Sequence, residues 1–280
     1  MKVVEIQKLT KAFSLGFGKT PLKALDGLSF SLEKGQVLGV VGPNGSGKTT
    51  LFKCILGFIK ATSGTIHLFE NRLSEMELKS KIGFLQEKVN YYSELTPVEL
   101  LKFYGSFYSI PSQMLKEKIN ELLKLVDLDA FRNIKVRNFS KGMLQRVGIA
   151  SSLISDSEFL IFDEPASGLD LFGIAQIKNI MKKLSQQGKT LMISSHVLSH
   201  IQDICDEFVV LYKGRLIKAG NWNELMENRE CFQIELKINS ISEGEKAAAL
   251  LTRSGYQVEH ASWARQDLEK IFMTIIGEHQ

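Results

Sequence analysis

The chain has 280 residues, 44% hydrophobic and 24% charged, with a formal net charge of +4. These are ordinary proportions for a globular protein with a full-sized core, either one large domain or one domain with a small appendix. The charge is mild and no Lys/Arg-rich block stands out, so it does not argue for nucleic acid as a partner, and none is expected; it is compatible with an anionic membrane surface.

The three cysteines, Cys54, Cys205 and Cys231, are widely spaced, and no pair has metal-ligand or redox spacing. Such a sparse set suits a reducing cytosol, with Cys54 as packed core. The N-terminus lacks a basic region followed by an apolar run, so no signal peptide is expected. No apolar stretch approaches the ~18–20 residues that span a bilayer. If the protein serves a membrane, another chain supplies the span.

Lys2 to Leu9 reads as a first strand, with Val4 and Ile6 on one side. Ser14 to Leu22 is glycine-rich and reads as a loop. Lys23 to Leu32 resumes strand-like alternation, with Leu28, Phe30 and Leu32 on one face. Glu33-Lys34-Gly35 then turns the chain into Gln36 to Val41, a short buried strand.

That strand runs into GPNGSGKTT: Gly42, Pro43, Asn44, Gly45, Ser46, Gly47, Lys48, Thr49 and Thr50. The stretch fits G-x-x-x-x-G-K-[ST]. Its glycines let the backbone wrap tightly, so that N–H groups can point at phosphate oxygens. Lys48 supplies a point charge near the β- and γ-phosphates, and the Thr49 hydroxyl can ligate Mg²⁺. Leu51, Phe52, Ile55 and Leu56 recur at helical spacing just after, so a helix N-terminus lies beneath the anion. Strand, glycine loop, helix is the order the motif demands, so the stretch reads as a nucleotide-binding loop.

Ser63 to Phe69 and Lys81 to Leu85 read as further strands, and Gln86 follows the second directly. Leu95 to Val126 carries helical periodicity, with Thr96 as the cap and Pro97 at the first helical position. Helix resumes after Asn138 to Gly142, with Met143, Val147, Ala150 and Ile154 on one stripe. About 87–155 is therefore expected to be a helical insertion. Glu158 to Phe162 is a buried strand ending in Asp163-Glu164. Leu171 to Ser185 is a helix, Lys189 to Ser194 a strand leading to His196, and Phe208 to Tyr212 with Arg215 to Ala219 a hairpin around Lys213-Gly214. Alternating strands and helices imply a largely parallel sheet with covered faces.

The tail, Arg229 to Gln280, has its own pattern. Phe232, Ile234, Leu236 and Ile238 alternate with polar residues, Ala247 to Leu251 is helical, and Tyr256, Val258 and His260 alternate again. Leu268, Ile271, Phe272, Ile275 and Ile276 form one helical face. This small α/β appendix needs a surface to cover, either the rest of its own chain or the same segment of a second copy.

Asp163 and Glu164 carry the second chemical signal. An Asp at the end of an apolar strand can hold Mg²⁺ opposite the phosphate loop. A Glu beside it can orient and deprotonate an attacking water. His196 and His200 are four apart, but no Glu follows His196 as H-E-x-x-H requires, so zinc is not expected; His200, His67 and His260 read as ordinary histidines.

From Val4 to about Leu225 the chain resembles the nucleotide-binding subunit of an ATP-binding-cassette (ABC) transporter. Besides the phosphate loop, the likeness rests on five stretches. They are Gln86, Asn138 to Arg146 (NFSKGMLQR), Asp163-Glu164-Pro165, Ser167 to Asp170 (SGLD) and His196. The resemblance implies an α/β P-loop ATPase with a mostly parallel core sheet, an N-terminal antiparallel β subdomain, a helical insertion and a C-terminal α/β appendix. The domains would be 1–228 and 229–280.

The resemblance also implies roles. Lys48, Gln86, Glu164 and His196 would be catalytic; Thr49, Gln86 and Asp163 would meet Mg²⁺. The phosphate loop, Ser140, Gly142 and Asp170 would contact ATP. Phe13 is the candidate for stacking on adenine, with Phe17 as its rival.

The signature departs from the family's usual LSGGQ. Phe139, Lys141 and Met143 replace Leu, Gly and Gln, while Ser140 and Gly142 remain. Lys141 adds charge near a phosphate or near its own surface. The S-K-G-M variant, with Leu268 to Phe272 near the end, resembles the branch serving ABC-2-type permeases. The family pattern implies a homodimer or paired ABC subunits, an integral-membrane permease in a separate chain, and a peripheral place on the cytoplasmic face of the membrane. A soluble ABC ATPase acting on ribosomes or nucleic acid is the alternative, but such proteins usually carry two cassettes or a long coiled coil.

Overall fold

The structure, a computed structural model, describes residues 1–14, 20–88, 91–221, 236–237 and 240–258. The chain divides into two compact units, Met1–Leu225 and Met226–Gln280. The boundary expected at 228/229 lies outside the described residues.

In the larger unit, β1 (Lys2–Phe13), β2 (Leu22–Glu33) and β4 (Ser63–Leu68) make a three-stranded antiparallel sheet in the order β2-β1-β4. β1 runs beyond the expected Leu9 because Lys11, Ala12 and Phe13 pair with Leu25, Lys23 and Leu22. An irregularity in the pairing beside Gly27 (φ 69°) resets the alternation, so that Leu25, Leu28 and Leu32 all reach the core.

The second sheet has six strands in the order β5-β6-β7-β3-β8-β9. These are β3 (Val37–Val41), β5 (Ile82–Leu85), β6 (Phe159–Phe162), β7 (Thr190–Ser195), β8 (Glu207–Tyr212) and β9 (Arg215–Asn221). All neighbours run parallel except β9, which returns antiparallel from β8 through Lys213-Gly214. β3, β6 and β7 are buried along their whole length, as continuous apolar runs in a two-sided sheet must be.

Period-two alternation divides the core. Phe159 and Ile161 of β6, with Met192 of β7, face Leu9, Leu28 and the buried side of α1 (Lys48–Ile55). Leu160 and Phe162, with Leu191 and Ile193, face the helices on the other side. Shortening such a residue, for example Phe162→Ala, would cost about 3–5 kcal/mol.

Three helices lie between β5 and β6: α3 (Pro97–Gly105), α4 (Ser112–Leu125) and α5 (Lys141–Ser152). α3 starts as the sequence suggests. Thr96 caps it, Pro97 occupies the first turn, and Glu99 returns a bond to the Thr96 backbone N–H to complete a capping box. The periodic run Leu95 to Val126 is two helices, because Ser106 to Pro111 breaks it and Pro111 restricts the residue before it. Leu100, Leu101, Ile119, Leu122, Leu123 and Val147 pack into the same cluster as Leu85 and Phe162. α6 (Leu171–Gln186) follows β6 and presents Ile177, Ile180, Met181 and Leu184 to that cluster.

One helix was not expected: α2 (Glu75–Lys81), with Ser74 and Glu77 forming a capping box. It buries none of its residues, so no apolar stripe announces it. In the smaller unit, α7 (Ile241–Arg253) contains the expected Ala247 to Leu251. The strand expected at Tyr256, Val258 and His260 is not formed over Tyr256 to Val258, which leave the turn at Gly255 (φ 89°) as irregular backbone. His260, Phe232, Ile234, Ile238 and the apolar face Leu268 to Ile276 lie outside the described residues.

Candidate functional site

The site forms where the parallel strands end, at the carboxyl edge of the sheet. β3 delivers the phosphate loop, β6 delivers Asp163 and Glu164, and β7 delivers Ser194 to His196. Gly45 (φ 78°) and Gly47 (φ 110°) take left-handed backbone conformations inside the loop. Gly47 also lies against the chain: a Cβ there would stand 2.6 Å from the Ala24 carbonyl oxygen. The hairpin turn closes on the same point. A Cβ on Gly214 would stand 2.7 Å from that oxygen, and the Gly214 N–H donates to Ser46 O at 3.0 Å.

Lys48 is buried. Its Nζ donates to Gly42 O at 2.7 Å and Pro43 O at 3.3 Å, and pairs with Glu164 Oε1 at 3.2 Å. The other Glu164 oxygen, Oε2, meets His196 Nδ1 at 2.8 Å. Thr49 Oγ1 donates to Asp163 Oδ2 at 2.7 Å. Asp163 Oδ1 accepts from Ser194 Oγ at 2.6 Å, and Ser194 Oγ accepts from the Glu164 N–H at 2.8 Å. Lys48, Thr49, Asp163, Glu164 and His196, all expected in the site, therefore form one continuous network.

Ser194 was not among the expected residues. The signal was a hydroxyl at the end of the apolar run KTLMIS, two positions before His196, and it reads equally well as a strand end.

Other expected residues stand apart. Gln86 is exposed just after β5, and among the described residues no hydrogen bond joins it to the phosphate loop or the acidic pair. Phe13 is half-buried at the end of β1, with Lys11 Nζ 4.9 Å from its ring centre; Phe17 lies outside the described residues. Ser140 caps α5, its Oγ accepting from the Met143 N–H at 3.3 Å. Gly142 is open: a Cβ there would meet only Leu169 Cδ2, at 3.9 Å. The Asp170 carboxylate caps α6 by accepting from the Gly173 N–H at 2.7 Å. Among the described residues no hydrogen bond or ion pair links Ser140, Gly142 or Asp170 to the phosphate loop of the same chain. Lys141 lies over Gly168, on its own surface, in the Ser167 to Asp170 loop.

His67 sits in β4 and bonds Asn71 Nδ2 through its Nδ1 at 2.7 Å. His200 lies in the short turn Leu198–His200 beyond β7.

The donor set fits a triphosphate with a hard cation. Ser46 Oγ is buried inside the loop without a hydrogen-bond partner. Thr49 Oγ1 and Asp163 Oδ2 converge as two oxygen donors. Mg²⁺ typically takes a few protein oxygens and fills its octahedron with phosphates and water. Among the described residues no group of three or more His, Cys, Asp and Glu forms a complete protein cage.

A family model described as "ABC transporter" matches residues 25–167. The chain belongs to this family. A bacitracin transport ATP-binding protein, BcrA of Enterococcus faecalis, is 34% identical over 261 residues, 92% of this chain and 80% of that protein. An uncharacterised ABC transporter ATP-binding protein of Synechocystis is 37% identical over 238 residues, 84% of this chain and 67% of that protein. Among solved structures, a dimeric ATP-binding cassette in a post-hydrolysis state bound to ADP and Pi superposes with a TM-score of 0.70. It is 26% identical and covers 78% of this chain and 98% of its own.

This ABC protein is thus the ATP-binding and ATP-hydrolysing subunit that powers a transporter. The α/β P-loop fold, with its antiparallel N-terminal sheet and mostly parallel core, is that of the family. No helix among the described residues of this ABC subunit is long and apolar enough to cross a membrane.

Proposed function

We propose that this ABC subunit drives an ABC-2-type exporter by closing with a second cassette around ATP and Mg²⁺. The observation that carries the reading is the continuous network from Lys48 through Glu164 to His196, with Thr49 and Asp163 beside it. Lys48 moves from Glu164 to the β- and γ-phosphates. Glu164, released on that side, orients and deprotonates the attacking water. His196 holds the other Glu164 oxygen in place. Thr49 and Asp163, with Gln86 approaching, would hold Mg²⁺, which would supply charge neutralisation at the phosphate oxygens.

Ser140 and Gly142 serve the partner's nucleotide rather than their own. The exposure of Ser140 at the N-terminus of α5 and the open space at Gly142 support this, since both leave room for a phosphate from outside. Asp170 acts in the same interface by shaping the start of α6. Phe13 stacks on adenine.

The permease, a separate integral-membrane chain, grips the aromatic surface of α3. There Phe103 meets Tyr92, Tyr104 and Phe107 edge-on at centroid distances of 5.1, 5.5 and 5.2 Å, and Tyr92 and Phe107 are mostly exposed. The subunit sits peripherally on the cytoplasmic face of the membrane. The helices of 87–155 act as a subdomain carrying both the permease surface and the signature, and 229–280 is an accessory domain that promotes pairing. The exporter branch is supported by the S-K-G-M signature and by the likeness to a bacitracin transport protein.

The test is Glu164→Gln, purified with and without Mg-ATP and run on size-exclusion chromatography with light scattering. An ATP-dependent dimer is expected. A variant that stays monomeric with ATP and permease present would refute the sandwich.

A further inference from the structure

We propose that Ser194 is the positioning residue that fixes both acidic side chains of the site, and so sets how well the subunit takes Mg²⁺. This rests on the roles proposed above for Asp163 and Glu164.

Ser194 lies in β7, one position past the Phe162–Ile193 pairing, so its side chain stands beside the end of β6. It is fully buried, as is Asp163. Its hydroxyl has one proton and two lone pairs. An ionised carboxylate can only accept, and a backbone N–H can only donate. The proton must therefore go to Asp163 Oδ1, at 2.6 Å, and a lone pair must take the Glu164 N–H, at 2.8 Å. One atom thereby ties the side chain of Asp163 to the backbone of Glu164.

Two consequences follow. With Oδ1 engaged, Asp163 is locked in the rotamer that leaves Oδ2 beside Thr49 Oγ1, where the cation's protein oxygens converge. Glu164 has φ 50°, a left-handed conformation that non-glycine residues adopt only when something holds them there. Capturing its N–H helps to hold that conformation, and the conformation aims the carboxylate between Lys48 and His196. A serine that only completed a core strand would need neither bond.

The experiment uses the full chain with Ser194→Ala, Ser194→Cys and Ser194→Thr. Cysteine keeps the volume with a weak donor, and threonine keeps the hydroxyl. Affinity for a fluorescent ATP analogue is measured in EDTA and across a Mg²⁺ titration, Mn²⁺ binding to the nucleotide-loaded protein by electron paramagnetic resonance, and turnover at saturating Mg-ATP.

For Ala and Cys, affinity in EDTA should stay within about twofold. The Mg²⁺ midpoint and Mn²⁺ dissociation constant should rise and turnover fall by roughly 10–100-fold, the worth of one hydrogen bond to a charged group. Thr should restore the wild-type midpoint. Wild-type metal midpoints in both Ala and Cys would overturn the proposal. So would loss of affinity in EDTA equal to that in Mg²⁺, which marks a merely structural serine. If Ala fails to fold, Cys decides by the same readouts. Asp163→Asn and Glu164→Gln run alongside: if neither changes metal response or turnover, the site reading itself fails. If they act and the Ser194 variants do not, only this inference fails.

Discussion

Lys48 and Glu164 form an ion pair 3.2 Å long, with their side chains only 6% and 7% exposed. In the roles proposed for them above, the phosphate-binding cation and the hydrolytic carboxylate thus neutralise each other, and an incoming phosphate would displace the carboxylate. Glu164→Gln removes that competitor along with the base. It should raise ATP affinity by roughly tenfold, about 1.4 kcal/mol, while turnover falls by roughly 10²–10⁴. Analogue binding and phosphate release measure the two effects separately. Weaker binding in the variant would show that the pair supports the loop instead of competing with the nucleotide.

Lys48→Ala should abolish nucleotide binding and leave the fold intact. The lysine bonds two carbonyls of its own loop, Gly42 and Pro43, but the loop also rests on the Gly214–Ser46 bond. Circular dichroism and analogue binding together check this, and normal ATP turnover would contradict the site.

The Tyr91 hydroxyl is buried without a hydrogen-bond partner, and it occupies the space a side chain on Gly148 of α5 would need. Burial pushes its phenol well above the usual range, so the ring stays neutral. An unsatisfied buried hydroxyl costs about 1–3 kcal/mol. Tyr91→Phe should therefore be neutral or stabilising by up to about 1 kcal/mol in urea unfolding. Gly148→Ala should destabilise by about 1–3 kcal/mol by overpacking. The double variant should recover part of that loss. A Tyr91→Phe variant that is clearly less stable would mean the hydroxyl makes a bond.

Cys54 and Cys205 are buried, and desolvation raises both thiols, with Asp206 adding to the effect at Cys205. The thiolate is the reactive form. Neither residue should react with a thiol reagent at neutral pH until the chain unfolds. Peptide mapping after labelling with and without urea would show it, and labelling of Cys205 in the native protein would refute its burial.

Removing 229–280 should leave ATP binding intact and weaken pairing or transport. Analogue binding and light scattering on the shortened chain test this. A melted cassette would place the tail in the core fold instead.

The sequence made the chemistry legible where function demands particular residue types at fixed spacing. Gly42 to Thr50 and Asp163-Glu164 are such places, and their neighbours on β3 and β6 are apolar runs with no competing reading. It was less informative where structure rests on local bonds. α2 stands on Ser74 and Glu77 rather than on burial, although S-x-x-E was there to be read. α3 and α4 share one periodicity, and only Pro111 betrays the break. Ser194 was hidden for another reason. Its role depends on β7 lying beside β6, and strand order is a long-range property that no local window contains.

The meeting of Ala24, Gly47 and Gly214 has a wider consequence. Three segments distant in sequence meet at the Ala24 carbonyl oxygen, where the Leu25 side chain also packs against Gly47. The hairpin turn at Lys213-Gly214 looks like a dispensable surface bend, yet it is the wall against which the phosphate loop is cast. A bulky residue at Gly214 would be strained by its φ of 78° and would also push on Ala24. In an unbiased genetic screen for lost ATP binding, hits should therefore appear in this remote turn, among residues that never touch the nucleotide.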